Sequence, residues 1–151
     1  MSFTADIVIR GADGQPLAIV ELKNRKGLTS EVGVDLRREL TADQGLGARA
    51  PFFVLLSQEV GFLWQGPLAE SSDQPMWTFS MAELIGDYLD PTGVERGTWL
   101  WPDAFRLVVL QWLYDLIDGK RDEASEPERT LAESGLLAAL WGAHIMEGVP
   151  V

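Results

Sequence analysis

The sequence predicts a mixed α/β domain: a small sheet from the first half of the chain, packed by one early helix and by helices of the second half. Three observations carry this. Two short apolar runs on either side of an Asp-Gly turn open the chain as a β-hairpin. A further run at 52–57 is too uniformly apolar for a half-solvated sheet and reads as a strand buried on both faces, and 62–65 continues as a fourth strand. Beyond Ser80 the apolar residues recur at helical spacing. The division is a sheet core over 1–79 and a helical extension over 80–151 on the same domain.

Each element has its own signal. Ala5-Asp6-Ile7-Val8-Ile9-Arg10 is rich in β-branched residues and reads as a strand. Gly11–Pro16 is turn chemistry, and Leu17–Lys23 returns as the second strand, apolar enough to be central. A helix over about 30–42 places Val32, Leu36 and Leu40 on one stripe, with Val34 off it and Arg37 and Arg38 near its middle. Gly45 and Gly47 end it. Gly66-Pro67 stops the fourth strand, and Trp77–Phe79 reads as a short edge strand. Ser80-Met81-Ala82-Glu83 is a capping box opening a helix to about Leu89, closed by Asp90-Pro91. Phe105, Val108, Val109, Trp112, Leu113, Leu116 and Ile117 mark an amphipathic helix closed by Gly119. A second capping box, Ser125–Glu128, opens a last helix expected to carry Leu131, Leu136, Leu137, Leu140, Trp141, Ile145 and Met146 on a wide apolar face.

Composition bounds the function. A chain of 151 residues with 46% hydrophobic and 23% charged residues is a folded domain rather than a disordered one. No apolar run reaches a membrane span, and no basic-then-apolar leader opens the chain. The absence of cysteine excludes disulfides and thiolate metal sites, so a reducing cytoplasm is the simplest home. A net charge of −11 argues against a generic nucleic-acid binder. Yet Lys23, Arg25, Lys26, Arg37 and Arg38 cluster just after the opening hairpin, so a local basic patch is compatible with the acidic whole.

The chemistry sits in Asp6, Glu21 and Lys23. Residues i and i+2 of a strand share a face, so Glu21 and Lys23 stand side by side at the end of an apolar run. In an antiparallel pair, the start of one strand lies beside the end of the other. Asp6 and Glu21 therefore meet, with a lysine next to them. Two carboxylates suit a hard cation such as Mg²⁺ or Mn²⁺, which can activate water and offset charge on a phosphodiester. The lysine can hold the attacking water or a phosphate oxygen. Taken singly these residues are ordinary: Asp6 at a strand entrance, and Glu21 with Lys23 as a same-face pair worth under about 1 kcal/mol if exposed.

Asp6, the hairpin, Ile19-Val20-Glu21-Leu22-Lys23, a helix and then Pro51-Phe52-Phe53-Val54-Leu55-Leu56 resemble the PD-(D/E)xK nuclease superfamily, in the branch of the nuclease domain of type I restriction R subunits. The resemblance covers about residues 4–66, with Ala5 where the family usually has proline. It implies a restriction-endonuclease-like small mixed β-sheet flanked by helices. It also implies a metal-dependent endonuclease acting on DNA, with Asp6, Glu21 and the Leu22 carbonyl on the metal and Lys23 catalytic. Arg37, Arg38 or Gln44 on the following helix would assist, and Arg25 and Lys26 would join them at the substrate. The family core also carries a helix and a strand ahead of the Asp strand; only five residues precede Asp6.

The alternative is an inactive interaction module on the same fold, dimerising or docking on a larger assembly through its apolar C-terminal helices. Trp99, Trp101, Trp112 and Trp141 are expected in the core or an interface rather than as base-stacking platforms. His144, the only histidine, is expected on a helix in a structural role.

Overall fold

The Asp13-Gly14 turn closes as its chemistry requires: Gly14 N–H donates to the Gly11 carbonyl at 2.9 Å and Gln15 N–H to Asp13 Oδ1 at 2.9 Å. The strands on either side, β1 (Thr4–Arg10) and β2 (Pro16–Leu22), pair antiparallel with Ile7 opposite Val20 and Val8 opposite Ile19. The computed structural model describes residues 4–41, 49–66 and 73–150. Helix α1 (Ser30–Thr41) then carries the chain over to β3 (Phe52–Leu56), which runs parallel to β2. Strands β4 (Val60–Gln65) and β5 (Trp77–Ser80) follow antiparallel, β5 at the edge as its short apolar pattern suggests. Gly45, Gly47 and Gln44, and most of the polar loop before β5, lie outside the described residues.

Period-2 alternation divides the sheet between two cores. Val8, Ile19, Phe53, Leu55, Phe62 and Trp64 face α1, while Ile7, Ile9, Val20, Val54, Leu56 and Leu63 face the later helices. Both faces are covered, which is why β3 is buried at every position. Those later helices are α2 (Ala82–Leu89), α3 (Pro102–Ile117), α4 (Glu128–Ser134) and α5 (Leu136–Ala139). Ser80 Oγ accepts the Ala82 N–H at 3.3 Å at the start of α2, and no side chain caps Met81 itself, so the expected capping box is only half made.

Two expectations about phase and type are corrected. The buried stripe of α1 runs through Gly33, Val34, Arg37 and Leu40, with Val32 and Leu36 half-buried on its flank. The helix is thus turned from the stripe that apolar spacing alone gives. Gly33 permits this seat: a Cβ there would stand 2.2 Å from the Trp64 ring. The expected last helix is broken. Gly135, at φ 86°, separates α4 from α5, and residues from His144 form a strand instead, β6 (His144–Pro150). It pairs antiparallel with β1, Ile9 opposite Ile145 and Ile7 opposite Glu147, giving the order β5-β4-β3-β2-β1-β6. The second half is therefore not purely helical; it returns a strand to the sheet beside the one that carries Asp6. The wide apolar face of the expected helix is spent inside the molecule, where Leu131, Leu136 and Leu140 are buried. His144 is exposed on this edge strand, not on a helix.

Candidate active site

At the open end of the hairpin, backbone pairing gives way to carboxylates. Leu22 N–H donates to Asp6 Oδ2 at 2.8 Å, and Asp6 N–H donates to Glu21 Oε1 at 3.2 Å. Each strand end is thus bonded by the side chain of the other. This is the meeting of Asp6 and Glu21 that the antiparallel geometry predicts. Both lie on the sheet face toward α1, beside Val8 and Ile19. On the other side of Asp6 the β1–β6 register sets Gly148 opposite, and a Cβ there would meet nothing within 4 Å. Asp6 therefore has a carboxyl neighbour on one flank and open space on the other.

Glu21 is 3% exposed, and its carboxyl is pushed up to about 8. Burial is the largest cause, since it penalises the charged form. Hydrogen bonding and repulsion from the Asp6 carboxyl add to it. The Asp6 N–H and the positive charge of Lys23 act in the opposite direction and only partly offset it. Near neutral pH Glu21 consequently holds a proton in the absence of a cation. Lys23 is half-buried, its N–H donates to the Leu56 carbonyl at 2.9 Å, and its ammonium forms no ion pair among the described residues.

The remaining predicted residues disperse. Arg37 is 3% exposed and donates to the Gly66 carbonyl at 2.6 Å, so it is a buried tether between α1 and the end of β4 rather than a rim residue. Burial lowers its affinity for a proton, partly restored by Asp73. Arg38 is on the solvent side of α1, paired with Asp73. Arg25 and Lys26 are exposed just beyond β2, nearest in sequence to Lys23. What sequence reasoning missed is the tether under this loop. Asn24 Nδ2 and Gln58 Nε2 both donate to the Leu100 carbonyl at 3.0 Å, and Leu100 N–H donates to Gln58 Oε1 at 2.8 Å. Gln58 and Leu100 are 42 positions apart, and nothing local announces their pairing.

Among the described residues no group of three Asp, Glu, His or Cys side chains is placed to hold a metal ion. The donor set is a carboxyl pair. It fits a Mg²⁺-type ion, which takes one or two protein carboxylates and completes its shell with water and phosphate oxygens. Asp6 Oδ1 and Glu21 Oε2 are the oxygens without a backbone donor and would be the ones to hold it. No family model, curated protein or solved structure matches this chain. What stands is a six-stranded mixed α/β sheet with helices on both faces, and no helix among the described residues is long and apolar enough to cross a membrane.

Proposed function

We propose that this domain is a Mg²⁺- or Mn²⁺-dependent endonuclease that hydrolyses DNA phosphodiesters. One observation carries the reading: a buried glutamate is set against a second carboxyl, with no ion pair to either among the described residues, at a strand end that also presents a lysine. Burying a carboxyl against a half-buried one is costly unless something positive joins them. The resemblance over residues 4–66 supports the same reading.

In this reading Asp6 and Glu21 hold the cation, with the Leu22 carbonyl as a further oxygen. The cation supplies Lewis-acid and water-activating chemistry when bound. Lys23 positions the attacking water or a non-bridging phosphate oxygen, for which its having no ion pair among the described residues suits it. Arg25 and Lys26 meet the flanking phosphates from the loop after β2. Arg37 is left out of the substrate contacts, since it is engaged in the interior.

A second reading rests on the same hydrogen bonds. Each carboxylate accepts a backbone N–H of the partner strand, so the pair also serves as a clip that closes the sheet end in an inactive module. Calorimetric titration with Mg²⁺ and Mn²⁺, followed by plasmid nicking on the same samples, separates the two. The nuclease reading expects binding and metal-dependent nicking in the wild type. Glu21→Ala should lose both, and Lys23→Ala should keep metal binding but nick at least about 100-fold more slowly. Absence of binding at millimolar metal leaves only the clip.

A further inference from the structure

We propose that the cleft between the β3–β4 turn and the 97–100 loop is a subsite for one unstacked nucleobase of a DNA single strand, with Trp99 as its stacking surface. This rests on the nucleic-acid reading above and names which part of the substrate is held, and where.

The cleft has a volume of about 290 Å³ and is lined by Lys26, Gln58, Glu59, Ile85, Thr98 and Trp99. It opens at the sheet end that carries Glu21 and Lys23. Lys26 is three residues beyond Lys23, and Gln58 two beyond Leu56, whose carbonyl receives the Lys23 N–H. The loop that bears Trp99 is fixed rather than draped: Leu100 is buried and both its backbone groups are bonded by Gln58, with Asn24 bonding to Gln58 and to the same carbonyl. A rigid aromatic surface loses little freedom when a base stacks on it.

Trp99 does not behave as a core tryptophan here. Trp64 and Trp112 are each 1% exposed, and their ring N–H groups donate to the Asp73 carbonyl and to Glu128. Trp99 is half-buried, and its ring N–H has no partner among the described residues. What lies over its ring is the Lys26 ammonium, 5.2 Å from the centroid. That is a weak, solvent-exposed cation–π contact, and a phosphate would draw the lysine off the ring while a base took its place. Glu59 supplies the selectivity. Its Oε1 accepts the Gly27 N–H at 2.9 Å, which leaves Oε2 to accept from an exocyclic amino group. Cytosine presents such a group and thymine does not.

The test is fluorescence anisotropy of labelled dC12 and dT12 oligonucleotides at low salt, in EDTA, so that no cleavage contributes. The expected results are tighter binding of dC12 than dT12, a loss of about tenfold in Trp99→Ala, and near-wild-type affinity in Trp99→Phe. Trp141→Ala, an exposed tryptophan elsewhere, should bind as wild type. If Trp99→Ala fails to fold, Trp99→Leu takes its place against Trp99→Phe. Equal affinity of the folded Trp99 variants and wild type, or no single-strand binding by the wild type, overturns the proposal. Trp99-dependent binding by a protein that nicks nothing with Mg²⁺ would sink the nuclease reading and leave this site standing. Metal-dependent nicking with Trp99-independent binding would do the reverse.

Discussion

Two glutamates are buried among the described residues, and they are accommodated in opposite ways. Glu128, at the start of α4, is fully buried and accepts Arg121 Nε at 2.9 Å and Trp112 Nε1 at 3.1 Å; Arg121 continues to Asp87 at 3.0 Å. Glu21, at the end of β2, is almost as buried, yet its nearest charged neighbour is another carboxyl. In the first arrangement a cation of the chain answers the anion through Oε2, while Oε1 has no hydrogen-bond partner among the described residues, and α4 is fastened to α2 and α3. In the second, no cation among the described residues forms an ion pair with the carboxyl. Its carboxyl is answered by holding a proton, or by a cation from solution. A fold under selection for stability alone has no reason to bury a carboxyl against another carboxyl.

The largest expected effect tests that contrast by pH. Glu21 ionises in the unfolded chain near 4.5 and in the folded chain near 8. Between those values the folded state holds the extra proton, so the contribution of Glu21 to stability is full below 4.5. It falls as pH rises and is gone above about 8. A shift of that size corresponds to a ceiling of about 5 kcal/mol at roughly 1.4 kcal/mol per pH unit. Urea unfolding in EDTA from pH 4.5 to 8.5 should therefore show the wild type losing several kcal/mol relative to Glu21→Gln. Parallel curves would mean that the charge of Glu21 is answered as well as that of Glu128, which Arg121 pairs, and the comparison would collapse.

Glu128→Gln gives the next effect. It keeps an acceptor for Trp112 but leaves Arg121 with Asp87 alone. Breaking a fully buried pair costs about 3–5 kcal/mol. Arg121 is 20% exposed and retains one partner, so a loss of about 2 kcal/mol is expected. Addition of Mg²⁺ should leave this deficit unchanged. A deficit relieved by the cation would place a metal-responsive group at the wrong glutamate.

The two sites were not equally legible. Asp6, Glu21 and Lys23 could be brought together from the sequence because an antiparallel hairpin fixes which ends meet, and the Asp13-Gly14 turn fixes the hairpin. The burial of Glu21 could not, since it depends on α1 and β3 closing over it from elsewhere. The Glu128 cluster was read only as a helix cap: Arg121, Asp87 and Trp112 come from three other segments, and no spacing rule links them. The fold divides along the same line. Strands β1 to β5 and helices α1 to α3 follow from turn residues and local periodicity. Strand β6 does not, because its partner β1 lies at the other end of the chain; Ile145 and Met146 fit a helical stripe as well as a strand until Gly135 and Gly142 are seen to break the path. The phase of α1 misleads for a similar reason. Arg37 occupies its buried stripe because the Gly66 carbonyl needs a donor there, which apolar spacing cannot reveal.

The smallest expected effect comes from a charge pair that is not buried at all. Arg38 and Asp73 are bonded across the surface with side chains 55% and 46% exposed. Water already solvates both charges, and the pair must hold two side chains in one geometry, so Arg38→Ala should change unfolding free energy by less than about 1 kcal/mol. Added salt should shrink even that, in contrast to Glu128→Gln, whose deficit lies mostly out of reach of screening. The same variant asks whether Arg38 meets DNA. A phosphate contact would make Arg38→Ala weaken binding across all sequences and flatten the slope of log affinity against log salt by about one unit. An unchanged slope would confine the basic surface to Lys23, Arg25 and Lys26, the residues that flank the carboxyl pair, and would set Arg38 apart as a solvated helix residue held by Asp73.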